Sequence, residues 1–142
     1  MRLVLDTSVL VAALRSDSGA SRRLLVGMID RRFTALVSTS LLIEYEAVLT
    51  RPLHLEAAGL SIADVGAILD VVAAVAEPVR LSFLWRPALR DADDDMVLEV
   101  ATNGQADAIV TFNRRDFEGV APRFGIAVWS PGQAVHEMES GR

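Results

Sequence analysis

The 142-residue sequence contains no cysteine and no lysine, and it has only two histidines, His54 and His136. The lack of cysteine excludes a thiol nucleophile, a disulfide framework, an iron–sulfur cluster and a thiolate zinc site. The lack of lysine excludes a Schiff-base enzyme and the lysine-dependent phosphate loop of many nucleotide-binding proteins. Two histidines so far apart argue against a polyhistidine metal site. Any chemistry must therefore come from carboxylates, hydroxyls, amides, arginine or a bound ion.

Long hydrophobic runs are absent as well, although 51% of the residues are hydrophobic. No apolar run reaches the roughly 18 residues that a transmembrane helix requires. The first apolar run is interrupted at Asp6, which is too early for a signal peptide. These features favour a soluble, cytoplasmic protein that forms one domain over residues 1–142 and does not associate with a membrane.

Short β-branched runs alternate with longer helical stretches along the chain. The predicted strands cover residues 2–5, 34–37, 79–83, 108–111 and 126–129, and the predicted helices cover residues 8–14, 20–30, 41–50, 61–76 and 94–102. Strands separated by helices require crossover connections, which produce a mainly parallel sheet. The strands show no in/out alternation, so we expect an α/β fold with helices on both faces of the sheet.

In such a sheet, ligands bind at the carboxyl ends of the strands. This rule directs attention to Asp6, which ends the first strand, and to the segment that follows Thr111. Asp6 has a second interpretation as the N-terminal cap of the next helix, and the pattern alone does not decide between the two.

The densest acidic cluster runs from Asp91 to Asp95. Such a run is commonly a solvated helix N-terminus, where acids complement the helix dipole. At about 100° per residue, however, Asp94 falls in line with the apolar stripe of the helix, whereas Asp95 points about 100° away. We therefore expect Asp94 to face the interior, where its desolvation requires a compensating partner.

Two further acids, Glu44 and Glu46, lie on the third predicted helix. The apolar face of that helix is formed by Leu41, Leu42, Tyr45, Val48 and Leu49. Each glutamate lies about 100° from the centre of this face, on opposite sides, so periodicity does not choose between them.

The segment after the fourth strand carries Thr111, Asn113 and Asp116. A turn explains Asn113 and Asp116 without any functional role. The neighbouring Arg114 and Arg115 are expected to be exposed at the same edge of the sheet, where they would contact phosphate.

Taken together, the pattern places Asp6, one helix glutamate, Asp94 and Asp116 near one edge of one sheet. Carboxylates gathered there would raise one another's pKa values unless a cation were present. Ligand sets made only of oxygen select hard ions such as Mg²⁺ or Mn²⁺. The chemistry best suited to such a site is phosphodiester hydrolysis, in which the metal activates water and stabilises charge on the phosphoryl oxygens.

This ordered set of residues resembles the PIN-domain nucleases, and among them the VapC-like toxins of bacterial toxin–antitoxin pairs. The resemblance runs from residue 1 to about residue 130, and it rests on LDTSVL at residues 5–10, EYE at 44–46, DADDDMVLEVA at 91–101 and AIVT at 108–111 leading to DF at 116–117. It implies a three-layer α/β/α sandwich whose mainly parallel sheet has four to five strands. It also implies Mg²⁺- or Mn²⁺-dependent cleavage of RNA, a homodimer and a small antitoxin as partner.

The resemblance assigns roles to individual acids. Asp6 and Asp94 would be the main metal ligands. Glu44, rather than Glu46, would ligate the metal directly or through water and help to orient the nucleophile, which would be water.

The fourth acidic position departs from the family pattern. Asn113 stands where many relatives carry Asp, so the nearby Asp116 would complete the catalytic and metal-binding carboxylates. The amide of Asn113 and the hydroxyls of Ser8 and Thr111 would hold these ligands in place without carrying the chemistry.

Two alternatives remain open at this point. The fold could be retained as a catalytically weak or inert module that binds RNA or protein, because Asn113 carries no charge. A phosphatase of the haloacid-dehalogenase type is disfavoured, because it needs a lysine and a second aspartate two residues after the first, where this chain has Ser8.

The formal net charge of −5 first argues against a nucleic-acid partner. Four of the nineteen acids belong to the predicted site, however, and the remaining fifteen nearly balance the fourteen arginines. The acids of the predicted metal site thus account for most of the excess negative charge. They would repel RNA until a cation binds.

Overall fold

Five parallel strands form a single sheet in a computed structural model that describes residues 1–82 and 92–141. The strands are β1 (Arg2–Leu5), β2 (Thr34–Val37), β3 (Glu77–Pro78), β4 (Ala108–Val110) and β5 (Ala127–Trp129). They lie in the order β3-β2-β1-β4-β5. The α/β class and the parallel sheet of four to five strands, both predicted from the sequence, are confirmed.

Eight α-helices connect and flank the strands within the described part of the chain. They are α1 (Thr7–Arg15), α2 (Ala20–Ile29), α3 (Thr39–Leu49), α4 (Pro52–Ala58), α5 (Ile62–Val75), α6 (Ala92–Asn103), α7 (Arg115–Glu118) and α8 (Pro131–Glu139). The first five carry the chain from β1 to β3, and α6 returns it to the other side of β1. Because crossovers between parallel strands are right-handed, these two groups of helices cover opposite faces of the sheet.

The central strand is buried on both faces. Leu3 and Val4 have no exposed surface and Leu5 is 1% exposed. This continuous burial explains why the strand lacks in/out alternation, because helices cover both sides of it. The first residue after this strand, Asp6, therefore emerges at a well-fixed point of the fold.

Hydroxyl caps define where two of the helices begin. Ser38 accepts a hydrogen bond from the backbone N–H of Leu41 over 3.0 Å and so starts α3. Ser61 and Asp64 form a reciprocal capping box at the start of α5. Each cap satisfies backbone donors that the first helical turn leaves without an intrahelical partner.

Some predicted elements are wrong or missing. The helix α4 was not predicted, although its first turn holds Pro52, a position where proline is well tolerated. The predictions also lacked α8, although Ser130 followed by Pro131 is a sequence signal for a helix start.

The predicted strand over residues 79–83 is also wrong for residues 79–82, and Phe83 lies outside the described residues. The pairing is limited to Glu77 and Pro78, followed by one hydrogen bond from Val79 N to Val37 O over 2.7 Å. The pairing stops there because β2 ends at Val37 and the next residue, Ser38, is the N-cap of α3.

In residues 1–82 and 92–141, no single helix is long and apolar enough to cross a membrane. By length and composition alone, α4 and α5 would pass only as a pair, and that pair is bent by 86°.

Candidate active site

The order in which the chain adds strands to the sheet changes direction between β1 and β4. The chain proceeds from β1 to β2 and β3 on one side and then places β4 on the other side of β1. Open parallel sheets bind ligands at the carboxyl ends of the strands at such a reversal. Leu5 pairs with Val110 there, so the next residues, Asp6 and Thr111, leave the sheet side by side.

Asp6 accepts two hydroxyl hydrogen bonds at this edge. Thr111 Oγ1 donates to Asp6 Oδ2 over 2.7 Å, and Ser8 Oγ donates to the same oxygen over 3.3 Å. Thr111 also accepts the backbone N–H of Asn113 over 2.9 Å, which fixes the loop after β4. The structure thus brings together four of the predicted site residues: Asp6, Ser8, Thr111 and Asn113.

Burial governs the electrostatics of Asp6, which is 8% exposed. Burial raises the pKa of the Asp6 carboxyl, and the negative charge of Asp116 raises it further. Hydrogen bonds from Thr111, Ser8 and the Thr7 backbone act in the opposite direction but do not cancel the effect of burial. The ionised form of Asp6 is therefore costly in the folded protein, and a neighbouring positive charge would stabilise it.

The capping interpretation of Asp6 is wrong. Asp6 occupies the N-cap position of α1, but its side chain makes no capping hydrogen bond. Its Oδ2 atom is engaged by the hydroxyls of Ser8 and Thr111 instead, so the carboxylate belongs to the edge between β1 and β4.

Tyr45 ties the helix that carries Glu44 to the strand that carries Asp6. Its hydroxyl donates to the backbone carbonyl of Leu5 over 2.5 Å, and the side chain is 1% exposed. Burial, together with the negative charge of Asp6, raises the pKa of Tyr45, so its hydroxyl keeps its proton. Tyr45 was predicted to lie on the apolar face of the helix, and apolar periodicity gave no sign of this polar contact.

The two glutamates of α3 differ in environment. Glu44 is half-buried, whereas Glu46 is exposed. Glu46 lines a surface groove of about 300 Å³ between α3 and α5. The helix itself packs against α1, α5 and α6, so it connects the two faces of the fold at this end of the sheet.

The expectation that Asp94 faces the interior and Asp95 points away is wrong. Asp95 is 3% exposed, whereas Asp94 is half-buried. The error arises because α6 packs against β1, β2 and β4 and also against α3 and α7, so its buried surface is wider than one apolar stripe. Five consecutive residues are buried: Val97, Leu98, Glu99, Val100 and Ala101.

Glu99 is a buried carboxylate that was not among the predicted site residues. It has no exposed surface and lies four residues after Asp95, on the same side of the helix. The spacing of the two acids was visible in the sequence, but their burial depends on the neighbouring elements. Within the acidic cluster, Asp91 and the side chain of Asp93 lie outside the described residues.

Two pairs of neighbouring arginines lie in different surroundings. Arg22 Nε donates to the carbonyl of Ala13 over 2.6 Å, and Arg23 forms an ion pair with Glu139 of α8. Arg114 and Arg115 are exposed beside the end of β4, as predicted. The first pair thus makes contacts within the fold, and the second lies next to the candidate site.

The predicted acids do not form a preassembled metal cage in the described residues. Among the side chains that the structure describes, which do not include that of Asp93, no three Asp, Glu or His residues lie close enough together to hold one ion. The donor chemistry nevertheless fits a hard cation, because Asp6 is a buried carboxylate that experiences the negative charge of Asp116. The metal, and the ligand roles of Glu44 and Asp94, remain predictions.

The protein is thus an α/β domain with a parallel sheet. Its buried aspartate, Asp6, lies between the carboxyl ends of β1 and β4, where such sheets bind ligands. A family model described as the PIN domain matches residues 2–115. The chain therefore belongs to the PIN-domain family, whose members are generally nucleases and act on nucleic acid. No curated protein matches the chain with significant similarity.

Proposed function

We propose that the protein is a Mg²⁺- or Mn²⁺-dependent endoribonuclease and the toxin of a toxin–antitoxin pair. The observation that carries the proposal is the buried carboxylate of Asp6, held by Thr111 where β1 and β4 end. Membership of the PIN-domain family supports a nuclease. The similarity to VapC-like toxins supports RNA as the substrate and the toxin role.

Four acids would hold the metal: Asp6 and Asp94 as the main ligands, with Glu44 and Asp116 completing the site. A divalent cation there would stabilise the charge that develops on the phosphoryl oxygens. Its charge would also offset the cost that burial imposes on ionised Asp6.

The remaining residues would position the reactants. Thr111 and Ser8 would keep Asp6 Oδ2 in one orientation through their hydroxyl hydrogen bonds. Glu44 would orient the attacking water, because the sequence offers no cysteine and the serine nearest Asp6, Ser8, donates its hydroxyl to that carboxylate. Arg114 and Arg115 would hold the RNA backbone through its phosphates.

The proposed partners are an RNA substrate, a small antitoxin and a second copy of the chain, all in the cytoplasm. Light scattering during size-exclusion chromatography measures the oligomeric state. Growth after expression alone, and after co-expression with a short open reading frame found immediately upstream, tests the toxin role. Growth arrest that the second protein relieves would support the pair.

Cleavage of a labelled single-stranded RNA tests the enzyme directly. We expect cleavage with Mg²⁺ or Mn²⁺, none with EDTA, and loss of cleavage in Asp6→Asn and Asp94→Asn. Ion-independent cleavage, or wild-type rates in both variants, would show that the site is assigned wrongly.

Two matched pairs sharpen the assignment of the ligands. Glu44→Gln is expected to reduce cleavage much more than Glu46→Gln, because Glu46 is the exposed glutamate of the same helix. Asp94→Asn and Asp95→Asn make the same comparison on α6, with circular dichroism as the control for folding. If only Asp95→Asn lost Mn²⁺ binding while remaining folded, Asp95 would replace Asp94 as the ligand.

Calorimetric titration with Mn²⁺ separates an enzyme from an inert RNA-binding module of the same fold. We expect binding at millimolar or lower concentrations that is lost in Asp6→Asn. RNA binding without detectable Mn²⁺ binding would favour the inert module.

A further inference from the structure

Phe112 is an exposed aromatic side chain directly beside the candidate site. It is 55% exposed, and it follows Thr111, whose hydroxyl contacts Asp6 over 2.7 Å. Because neighbouring Cα atoms are about 3.8 Å apart, the backbone of Phe112 lies next to that of Thr111 at the end of β4. The ring is therefore attached to the backbone one residue after the side chain that contacts Asp6.

The hydrophobic core does not require Phe112. The other phenylalanine of this segment, Phe117, is fully buried, and its helix α7 packs against α6. A large apolar side chain that remains mostly in water contributes little to folding. Because the fold leaves the ring of Phe112 more than half exposed, the ring is available to a ligand.

The backbone around Phe112 is held by a short hydrogen-bond network. Asn113 N donates to Thr111 Oγ1 over 2.9 Å, Asp116 N to Asn113 O over 3.0 Å, and Phe117 N to Arg114 O over 3.1 Å. Since these bonds already fix the loop, presenting the ring to a ligand requires little additional ordering.

Two exposed arginines follow the aromatic ring. Among the side chains that the structure describes, Arg114 and Arg115 form no ion pair with an acid. An aromatic face next to arginines is how proteins bind unpaired nucleic acid, because the ring stacks on a base and the cations hold phosphates.

We propose that Phe112 stacks on an unpaired base of the RNA substrate while Arg114 and Arg115 hold neighbouring phosphates. The inference rests on the proposed ribonuclease function and adds a residue that contacts a base, so that RNA with an accessible base binds better than a duplex. In a duplex, both faces of a base are covered by neighbouring base pairs, so the ring has no surface on which to stack.

The test uses the full chain and a short 2′-O-methyl oligoribonucleotide that carries one 2-aminopurine, whose fluorescence decreases when it stacks. Ca²⁺ replaces Mg²⁺ as a cation of the same charge, and a gel verifies that the strand stays intact. Each variant is titrated against the single strand and against the same strand annealed to its complement.

Phe112→Leu keeps an apolar side chain but removes the aromatic face, and Phe112→Trp retains a face for stacking. We expect Phe112→Leu to weaken single-strand binding by about tenfold and to reduce the quenching of 2-aminopurine. Phe112→Trp should retain both, and the duplex should bind the wild type and the variants equally.

Phe124→Leu is the matched control. Phe124 is also exposed, at 41%, but it precedes β5 and therefore lies towards the opposite edge of the sheet. This variant should bind the single strand as the wild type does.

Three results would overturn the proposal. In the first, Phe112→Leu matches the wild type in affinity and quenching. In the second, it weakens single-strand and duplex binding equally, with no rescue by Phe112→Trp. In the third, it leaves nucleic-acid binding unchanged and abolishes self-association in sedimentation, which would make Phe112 a protein contact. If the wild type cleaves RNA in any of these cases, the proposed enzyme stands and only the stacking fails.

Discussion

The hydroxyl of Thr111 lies 2.7 Å from the carboxylate of Asp6, although the two residues are 105 positions apart in the sequence. The contact joins the ends of β1 and β4, the two neighbouring strands between which the strand order changes direction. Thr111 is fully buried, so solvent does not compete for this hydrogen bond. The proposed chemistry is centred on this pair.

Thr111→Val removes the hydroxyl while nearly preserving the volume of the side chain. We expect RNA cleavage to decrease by about tenfold or more, because a hydrogen bond to a buried charged group is worth about 1.5–3 kcal/mol. Thr111→Ser should recover most of the rate. Thr102→Val, in the last turns of α6, is the control and should cleave as the wild type does. Equal cleavage rates for Thr111→Val and the wild type would show that this hydrogen bond does not contribute to catalysis.

Asp6→Asn should stabilise the protein in EDTA while abolishing cleavage. The pKa of Asp6 is raised, chiefly by burial, so the wild type loses stability as the pH rises through that pKa and the carboxylate ionises. The variant does not ionise, so its advantage should be absent below the ordinary pKa of 3.8 and present at neutral pH. We expect a melting temperature a few degrees higher at pH 7, measured by circular dichroism.

Asp70→Asn on the exposed surface of α5 is the control for this experiment and should not change the melting temperature. A lower melting temperature for Asp6→Asn at neutral pH in EDTA would contradict the electrostatic account of the site.

Tyr45→Phe removes the hydroxyl that donates to the carbonyl of Leu5. Both groups are buried, so the carbonyl would lose this donor, at a cost of about 1–2 kcal/mol in the free energy of unfolding. Urea denaturation measures the loss. Because this bond fixes the backbone just before Asp6, cleavage should also decrease. Unchanged stability and unchanged cleavage would show that the tie between α3 and β1 is unimportant.

The fold was predictable because its signals are local and repeated. Short buried strands such as residues 34–37, separated by helical stretches, require crossovers and hence a parallel sheet. The failures occurred where an element depends on its neighbour. Residues 79–82 of the predicted strand have no partner beyond Val37, and the helix that begins at Pro52 was not predicted.

The candidate site was predictable to the extent that it follows strand ends. Asp6 and Thr111 were found by that rule, and they are in contact. The relative burial of Asp94 and Asp95 was not predictable from a helical wheel, because elements on several sides cover α6. Tyr45 was missed because apolar periodicity cannot show where a buried hydroxyl finds its acceptor.

Arg114→Ala and Arg115→Ala should weaken RNA binding similarly for all sequences. A phosphate contact releases counterions, so each substitution should reduce the slope of log affinity against log salt by about 0.7 for a single strand. Fluorescence anisotropy at several salt concentrations measures the slope.

Arg123→Ala is the control for these two variants, because Arg123 is exposed in the turn that precedes β5. It should leave the slope unchanged. If all three variants changed the slope equally, the two arginines beside β4 would have no special role in binding RNA.

The central claim is that Asp6 supports metal-dependent hydrolysis of RNA. Its most direct test is single-turnover cleavage of one labelled RNA by the wild type and by Asp6→Asn across a titration of Mn²⁺. The wild-type rate should rise with Mn²⁺ and saturate, and the rate of the variant should stay at background throughout. Equal rates for the two proteins, or a wild-type rate that does not depend on Mn²⁺, would contradict the claim.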